Sequence, residues 1–258
     1  VYIAKQKVYG KDYYYLRKSQ RVGGKVKSIG MGYLGKTRKE AEKKFREILK
    51  KGDEKGVRII YFVHGNTLDN EKGISTGQNQ GELSELGIEQ SKELFKKIKD
   101  KNFDAVFCSD LKRAVSSAEI TFEKKYKIIQ DKRLRECNYG DLNGAKEEKV
   151  KYEEHIDSVF PNGESLRDVE KRIKSFLSYL SKNYSGKYIA IVSHKAPQLA
   201  FEVLLKNKSW EEAIKEDWRL KKDWQPGWEY FINPKTKITS MDDSKLEHRE
   251  ISFDEMAV

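Results

Sequence analysis

Ile59-Ile60-Tyr61-Phe62-Val63 runs straight into His64, and a polar turn follows, Gly65-Asn66-Thr67-Leu68-Asp69-Asn70. The arrangement recurs late in the chain, where Tyr188-Ile189-Ala190-Ile191-Val192-Ser193 ends at His194. A short apolar run bounded by a turn reads as a strand buried on both faces, as in a parallel sheet. Open α/β sheets collect ligands at the carboxyl ends of their strands, which is where both histidines fall. An imidazole there can act as a nucleophile or hold an anion. The plainer reading, two satisfied core histidines, leaves their matching strand-to-loop positions unexplained.

Around these strands the pattern alternates. Ser84–Lys99 reads as a helix, Ala105–Cys108 as a buried strand, and Arg113–Phe122 as a helix. Ile128–Ile129 is short and extended, and Glu164–Asn183 is a long amphipathic helix with Leu166, Val169, Ile173, Phe176, Leu177 and Leu180 inward. After Tyr188–Val192, the last clear central strand, comes a helix carrying Leu199, Phe201, Val203 and Leu204. Such alternation predicts an α/β three-layer sandwich with a mainly parallel central sheet. The four tryptophans fall between Trp210 and Trp228, with Trp218 and Trp224 between them, and suit packing of C-terminal helices or a ring at a substrate mouth. Beyond Tyr230 the chain turns polar, and Ile238 to Phe253 could add a strand or an extended arm.

The first 52 residues read differently. Turn signals at Tyr9-Gly10-Lys11 and Val22-Gly23-Gly24-Lys25 separate stretches rich in Val, Ile and Tyr, which predicts a three-stranded sheet. Thr37-Arg38-Lys39-Glu40 is a capping box, and a helix to about Lys51 would bury Ala41, Phe45, Ile48 and Leu49. Gly52-Asp53-Glu54-Lys55-Gly56 reads as a linker. The division expected is a basic module over 1–52, a main domain over 57–232 and an extension over 233–258. The net charge of +11 arises within residues 1–57, which hold 17 Lys and Arg against 6 Asp and Glu; the remainder balances at 35 against 35. That asymmetry points to a polyanionic partner, RNA or DNA before an anionic membrane surface, with a solvated lysine-rich face as the plain alternative.

Cys108 and Cys137 cannot build a disulfide framework, and the four histidines show no metal-type spacing, so neither metal nor cofactor is expected. With no apolar stretch of membrane-spanning length and no signal peptide, the expected location is cytoplasmic.

Two further stretches carry chemistry. Ser109-Asp110-Leu111-Lys112-Arg113-Ala114 puts Arg113 in the first turn of a helix at a strand's carboxyl end, and Leu134-Arg135-Glu136-Cys137-Asn138-Tyr139-Gly140 puts Glu136 in a loop. A phosphate monoester needs cations and N–H donors for its oxygens, a nucleophile in line with the leaving oxygen, and an acid to protonate that oxygen. His64, Arg113, Glu136 and His194 can fill those roles together. A neutral imidazole and a protonated carboxyl group then predict a bell-shaped pH profile, its acidic limb set by His64 and its optimum near pH ~5.5–6.5.

From about Val57 to Tyr230 the chain resembles the histidine phosphatase superfamily, which includes cofactor-dependent phosphoglycerate mutases and many small phosphatases. The matching pieces are His64 to Asn70, Thr76-Gly77, Leu83-Ser84-Glu85-Leu86-Gly87-Ile88-Glu89-Gln90, Ser109 to Ala114, Leu134-Arg135-Glu136, Gly163-Glu164-Ser165 and Ser193-His194. The resemblance implies that His64 takes the phosphoryl group, that Glu136 donates the proton, and that Arg113 and His194 bind phosphoryl oxygens. It further implies that Thr67, Asn70, Thr76, Gly77 and Tyr139 line the pocket. The short span from Gly144 to Gly163 favours a phosphatase over a mutase, because mutases of this family carry longer insertions there. Two positions depart from the pattern. The family has arginine immediately before the histidine, where this chain has Val63 by replacement or by loss of one residue. Lys195 stands where the family often has glycine, and could bring a cation to the pocket. Loss of one electrostatic donor from such a pocket is worth roughly 10²–10³ in rate, so a catalytically weakened phosphate-binding domain joined to a nucleic-acid-binding module is the alternative. The first 36 residues resemble, more weakly, the start of some insertion-element transposases, through Tyr13-Tyr14-Tyr15-Leu16, Arg21 to Val26 and Tyr33-Leu34-Gly35-Lys36.

Overall fold

In the computed structural model, residues 2–8, 11–22, 25–52, 56–122, 125–221 and 227–233 are described. The turns at Tyr9-Gly10 and Gly23-Gly24, most of the 52–56 linker, Trp224 and the stretch Ile238 to Phe253 lie outside them. So do the side chains of Ile48 and Leu49.

Three strands, β1 (Tyr2–Val8), β2 (Lys11–Val22) and β3 (Lys25–Gly35), form an antiparallel sheet in that order. Helix α1 (Arg38–Gly52) follows. Its capping box forms as expected: the Glu40 N–H donates to Thr37 Oγ1, and the Thr37 N–H donates to Glu40 Oε2. Leu16, Leu34 and Ala41 make a small core, with Ile3, Tyr14 and Phe45 packed against it. Cross-strand partners share a face, so the Ile3↔Leu16 pair fixes which side of the sheet meets the helix.

The main sheet has the order β10-β4-β9-β6-β7. Strands β4 (Val57–Val63), β6 (Ala105–Cys108), β7 (Ile128–Gln130) and β9 (Tyr188–Ser193) are mutually parallel. Alternation along β4 sends Val57, Ile59 and Tyr61 into one core with α5 (Leu166–Asn183) and α6 (Lys195–Lys206), and Val63 packs there too. Ile60 and Phe62 enter the opposite core, against α3 (Glu85–Ile98) and α4 (Lys112–Phe122). These are the three layers that the strand–helix alternation predicts. Short elements complete the chain: α2 (Leu68–Glu71), β5 (Ile74–Ser75) paired with β8 (Ala145–Lys146), and α7 (Trp210–Lys215).

Two expectations are corrected. The long helix begins at Leu166, because Ser165 caps it through a reciprocal box with Asp168, while Glu164 instead accepts hydrogen bonds from Arg172. Trp228, expected to pack C-terminal helices or ring a substrate mouth, instead opens strand β10 (Trp228–Ile232), which pairs antiparallel with β4 and closes the sheet edge. Trp210 and Trp218 fit the expected uses: the Trp210 indole is buried and donates to Glu170, and Trp218 faces the cavity described next.

Candidate active site

Parallel pairing of β4 with β9 runs without a bulge to Val63↔Ser193, and the His64 N–H extends the ladder by donating to the Ser193 carbonyl at 3.0 Å. The next residues along the two strands are therefore His64 and His194, and their rings lie 5.0 Å apart in an edge-on arrangement. Val63 occupies its place in register, on the same side as Tyr61 and Ile59, as the residue before His64.

His64 Nδ1 lies 2.7 Å from the Gly65 carbonyl, an acceptor only, so Nδ1 carries the proton. Nε2 is left as the lone-pair nitrogen and accepts from Arg113 Nε at 3.2 Å. Burial, helped by the Arg113 charge, pushes the His64 pKa down to about 3. The ring is thus neutral throughout the ordinary pH range, which removes His64 as the source of an acidic limb near its usual pKa. His194 is fully buried and likewise held neutral by burial and the Arg113 charge. Neither of its ring nitrogens meets a partner among the described residues.

The loop after His64 is fixed from α3 and α4. The Asn66 N–H donates to Gln90 Oε1 at 2.8 Å, and the Gly65 N–H donates to Ser117 Oγ at 2.9 Å. A Cβ on Gly87 would stand 2.0 Å from the Asn66 carbonyl oxygen, so the loop can lie on the helix only over a glycine. This is what the Leu83 to Gln90 stretch contributes.

Arg113 is buried in the first turn of α4. Its Nη1 and Nη2 donate to the carbonyls of Asn79 and Gly77, at 3.0 and 2.6 Å. Gly77 has φ +58°, and a Cβ there would meet Asn143 Oδ1 at 1.8 Å. The guanidinium is held by neutral carbonyls, so its charge remains available to an anion.

Glu136 accepts from the N–H groups of Cys137, Lys195 and Ala196, at 2.8, 3.2 and 3.0 Å, the last two from the first turn of α6. Its loop is clamped by Arg172, whose guanidinium donates to the carbonyls of Arg133, Arg135 and Glu136 and to both Glu164 oxygens. Arg135 in turn forms a two-pronged ion pair with Asp110, at 2.7 and 2.6 Å, tying the Leu134 and Ser109 stretches together. Cys137 is not a competing nucleophile, because burial pushes its thiol far up.

A cavity of about 510 Å³ is lined by His64, Arg113, Glu136, Asn70, Thr76, Gly77 and Tyr139 among others. His194 does not line it: its ring is fully buried beside that of His64. Thr67 does not line it: its side chain is fully buried and accepts the Asn70 N–H as the cap of α2, and Asn66 forms the wall instead. Lys195 lines the cavity, but its Nζ sits 2.7 Å from the buried Asp217 and over the Tyr152 ring. Sequence reasoning missed Asn66, Gln90 and Arg219 on the wall, and Arg172 behind it. For Asn66 and Gln90 the signal was present, inside stretches already singled out. Among the described residues no group of three or more His, Cys, Asp or Glu is arranged to hold a metal ion, and no helix is long and apolar enough to cross a membrane.

Residues 60–224 match the description of the Histidine phosphatase superfamily (branch 1). The chain belongs to this superfamily. It is 32% identical over 155 residues to "Phosphoserine phosphatase 1" of Hydrogenobacter thermophilus, covering 56% of this chain and 74% of that protein. It is 28% identical over 180 residues to a 2,3-bisphosphoglycerate-dependent phosphoglycerate mutase of Bartonella tribocorum, covering 63% of this chain and 87% of that one. The crystal structure of the alpha-ribazole phosphatase from Shigella flexneri superposes with a TM-score of 0.54 at 26% identity, covering 61% of this chain and 84% of that one. The superfamily's relatives are thus both phosphatases and mutases, and all three are enzymes of phosphate esters by name.

Proposed function

We propose that the 57–232 region hydrolyses a small phosphomonoester through a phosphohistidine at His64, without a metal ion. The observation that carries this reading is the orientation of His64. Its Nδ1 proton is tied to Gly65, so Nε2 is the attacking nitrogen, and it stands against the Arg113 guanidinium with His194 beside it. On binding, phosphoryl oxygens accept from the Arg113 guanidinium, and one reaches the buried His194 ring as the His64 side of the wall yields. Nε2 attacks phosphorus, the bond to the leaving oxygen breaks, and that oxygen takes a proton from the Glu136 carboxyl group. Water then attacks the phosphohistidine and gives its proton to Glu136, which restores the resting site.

Hydrolysis is favoured over mutase transfer by the span between Gly144 and Gly163. Tyr152, Ile156 and Phe160 of that span are buried in the main core. Direct tests are turnover of p-nitrophenyl phosphate and phosphorylated metabolites, with and without chelator, and detection of an acid-labile phosphoenzyme. Wild type should act with or without chelator, and His64→Ala should be inert. Activity that survives His64→Ala rules the mechanism out.

A second reading concerns residues 1–52, as a nucleic-acid-binding module. The sheet face away from the small core carries Tyr2, Tyr13, Tyr15, Tyr33 and Arg17. Tyr2 and Tyr33 are 39% and 46% exposed, and the Tyr33 ring meets those of Tyr13 and Tyr15 at 6.3 and 5.6 Å. Aromatic rings for stacking among basic residues suit a nucleic acid. Full-length protein should bind RNA or DNA with an affinity that falls steeply with salt, and Tyr15→Ala with Arg17→Ala should weaken it. Retention unchanged by both substitutions would remove the module from this role.

A further inference from the structure

Among the described residues three cations line the cavity: Arg113, Lys195 and Arg219. A phosphomonoester brings a dianion, and its transfer spreads negative charge over three oxygens, so one guanidinium is a thin complement. Lys195 adds little, because Asp217, whose side chain is 3% exposed, neutralises it at 2.7 Å. Arg219 differs. It stands in the short helical turn Trp218–Lys221, and its ion pair is to Glu147 at 2.8 Å. Glu147 is 58% exposed and Arg219 35%, and so solvated a pair holds the guanidinium only weakly. An arriving phosphoryl oxygen can therefore share the guanidinium at small cost.

The placement of Arg219 is itself built. Asp217 accepts Lys195 Nζ on one oxygen and the Arg219 N–H, at 3.1 Å, on the other. Lys195 begins α6 directly after His194, so the chain Lys195–Asp217–Arg219 ties the turn to the phosphoryl end of the site. Beside it Trp218 lines the same cavity, with an indole N–H that is buried and meets no partner among the described residues. We infer that Arg219 supplies, from the C-terminal side of the cavity, the phosphoryl-binding cation that Val63 does not. Lys195 is then the positioning residue that holds its turn in place, and the two departures from the superfamily pattern form one exchange. The Arg219 charge also reaches His64, where it adds to the Arg113 charge in keeping the imidazole neutral.

This rests on the phosphoryl-transfer reading, and the test separates the two. Binding of inorganic phosphate, by calorimetry in a phosphate-free buffer, is measured for wild type, Arg219→Met, Val63→Arg and the double variant. Turnover of p-nitrophenyl phosphate is followed in parallel. A charge-assisted hydrogen bond is worth about 1.5–3 kcal/mol, so Arg219→Met should weaken phosphate binding roughly 10- to 150-fold, with its urea midpoint close to that of wild type. Val63→Arg should restore at least tenfold in the Arg219→Met background and less than threefold in wild type. Lys195→Ala should reproduce part of the Arg219→Met loss and add little to it. Wild type that binds phosphate but turns over no ester defeats the phosphatase reading, and the binding series still decides the inference. An Arg219→Met affinity within twofold of wild type overturns it. So does equal gain from Val63→Arg in both backgrounds, or a wild type that does not bind phosphate.

Discussion

Replacing His194 by phenylalanine should make the protein less sensitive to acid while abolishing its activity. The imidazole is fully buried, its nitrogens are without partners, and burial with the Arg113 charge holds its pKa well below the ordinary histidine value. In the unfolded chain the same ring takes a proton near pH ~6.5. Between that pH and the folded-state pKa the unfolded chain binds one more proton than the native one, so stability is present above ~6.5 and lost as pH falls. Integrated from pH 7 to pH 5, one such histidine costs about 1.9 kcal/mol. His64, held down to about 3, acts in the same direction over this range, and in both proteins alike. His194→Phe removes one of these protons, and an apolar ring of similar shape also relieves two orphaned nitrogens. Urea unfolding at pH 7, 6 and 5, in buffers free of phosphate, gives the comparison. Relative to its own value at pH 7, the variant should keep about 1.9 kcal/mol more than wild type at pH 5. At pH 7 it should be as stable as wild type or more so. Equal losses in the two proteins, within ~0.5 kcal/mol, would show that native His194 is already protonated and would sink the reasoning.

Arg172→Met takes the guanidinium from the Arg133, Arg135 and Glu136 carbonyls and from Glu164, of which Glu136 and Glu164 keep a donor in Gln78, and should cost about 2–3 kcal/mol. Calorimetric melting reads this, and a loss under ~1 kcal/mol would mean that the loop is held elsewhere. Glu136→Gln should depress turnover far more for sugar or glycerate phosphates than for p-nitrophenyl phosphate, whose leaving group needs no proton. Equal loss on both would make Glu136 a positioning residue. With its oxygen kept toward the Cys137 and Ala196 N–H groups, the amide sets its NH2 against the Lys195 N–H, so a stability loss of about 1–2 kcal/mol should accompany it in a urea titration. Gly87→Ala should lower kcat with little effect on phosphate affinity, because it lifts the loop that bears His64; unchanged kcat in steady-state assays would refute the close approach.

Both histidines were legible because apolar runs of period-free strand type mark buried parallel strands, and a strand's end needs no partner to be located. That β4 and β9 are neighbours was not, yet this adjacency alone places the two rings together. Strand β10 was hidden by its composition. Trp228, Tyr230 and Phe231 pack on a sheet edge as readily as on a helix, and the choice is made by pairing with β4. Thr67 was read toward the cavity because residue type shows an oxygen, not the direction in which the cap turns it. Arg219 lay in a stretch of alternating charge with no motif, and only the fold brings residue 219 back to residue 64.

The electrostatics of the site also bear on where acid limits it. Cations that attract a phosphate dianion necessarily disfavour a proton on the imidazoles beside them, and burial acts in the same sense. Hence the feature that draws substrate also keeps His64 Nε2 unprotonated, and the nucleophile is ready at any pH well above about 3. The expectation that His64 titration sets the acidic limb therefore gives way to a different one. kcat/KM should fall on the acidic side only as the substrate takes its second proton or as the fold begins to open through His194. Those two causes differ in their markers. A limb from the substrate moves when p-nitrophenyl phosphate is exchanged for an ester of different second pKa, and a limb from unfolding moves with added urea. A limb that stays near pH ~6.5 through both changes would return the titration to His64.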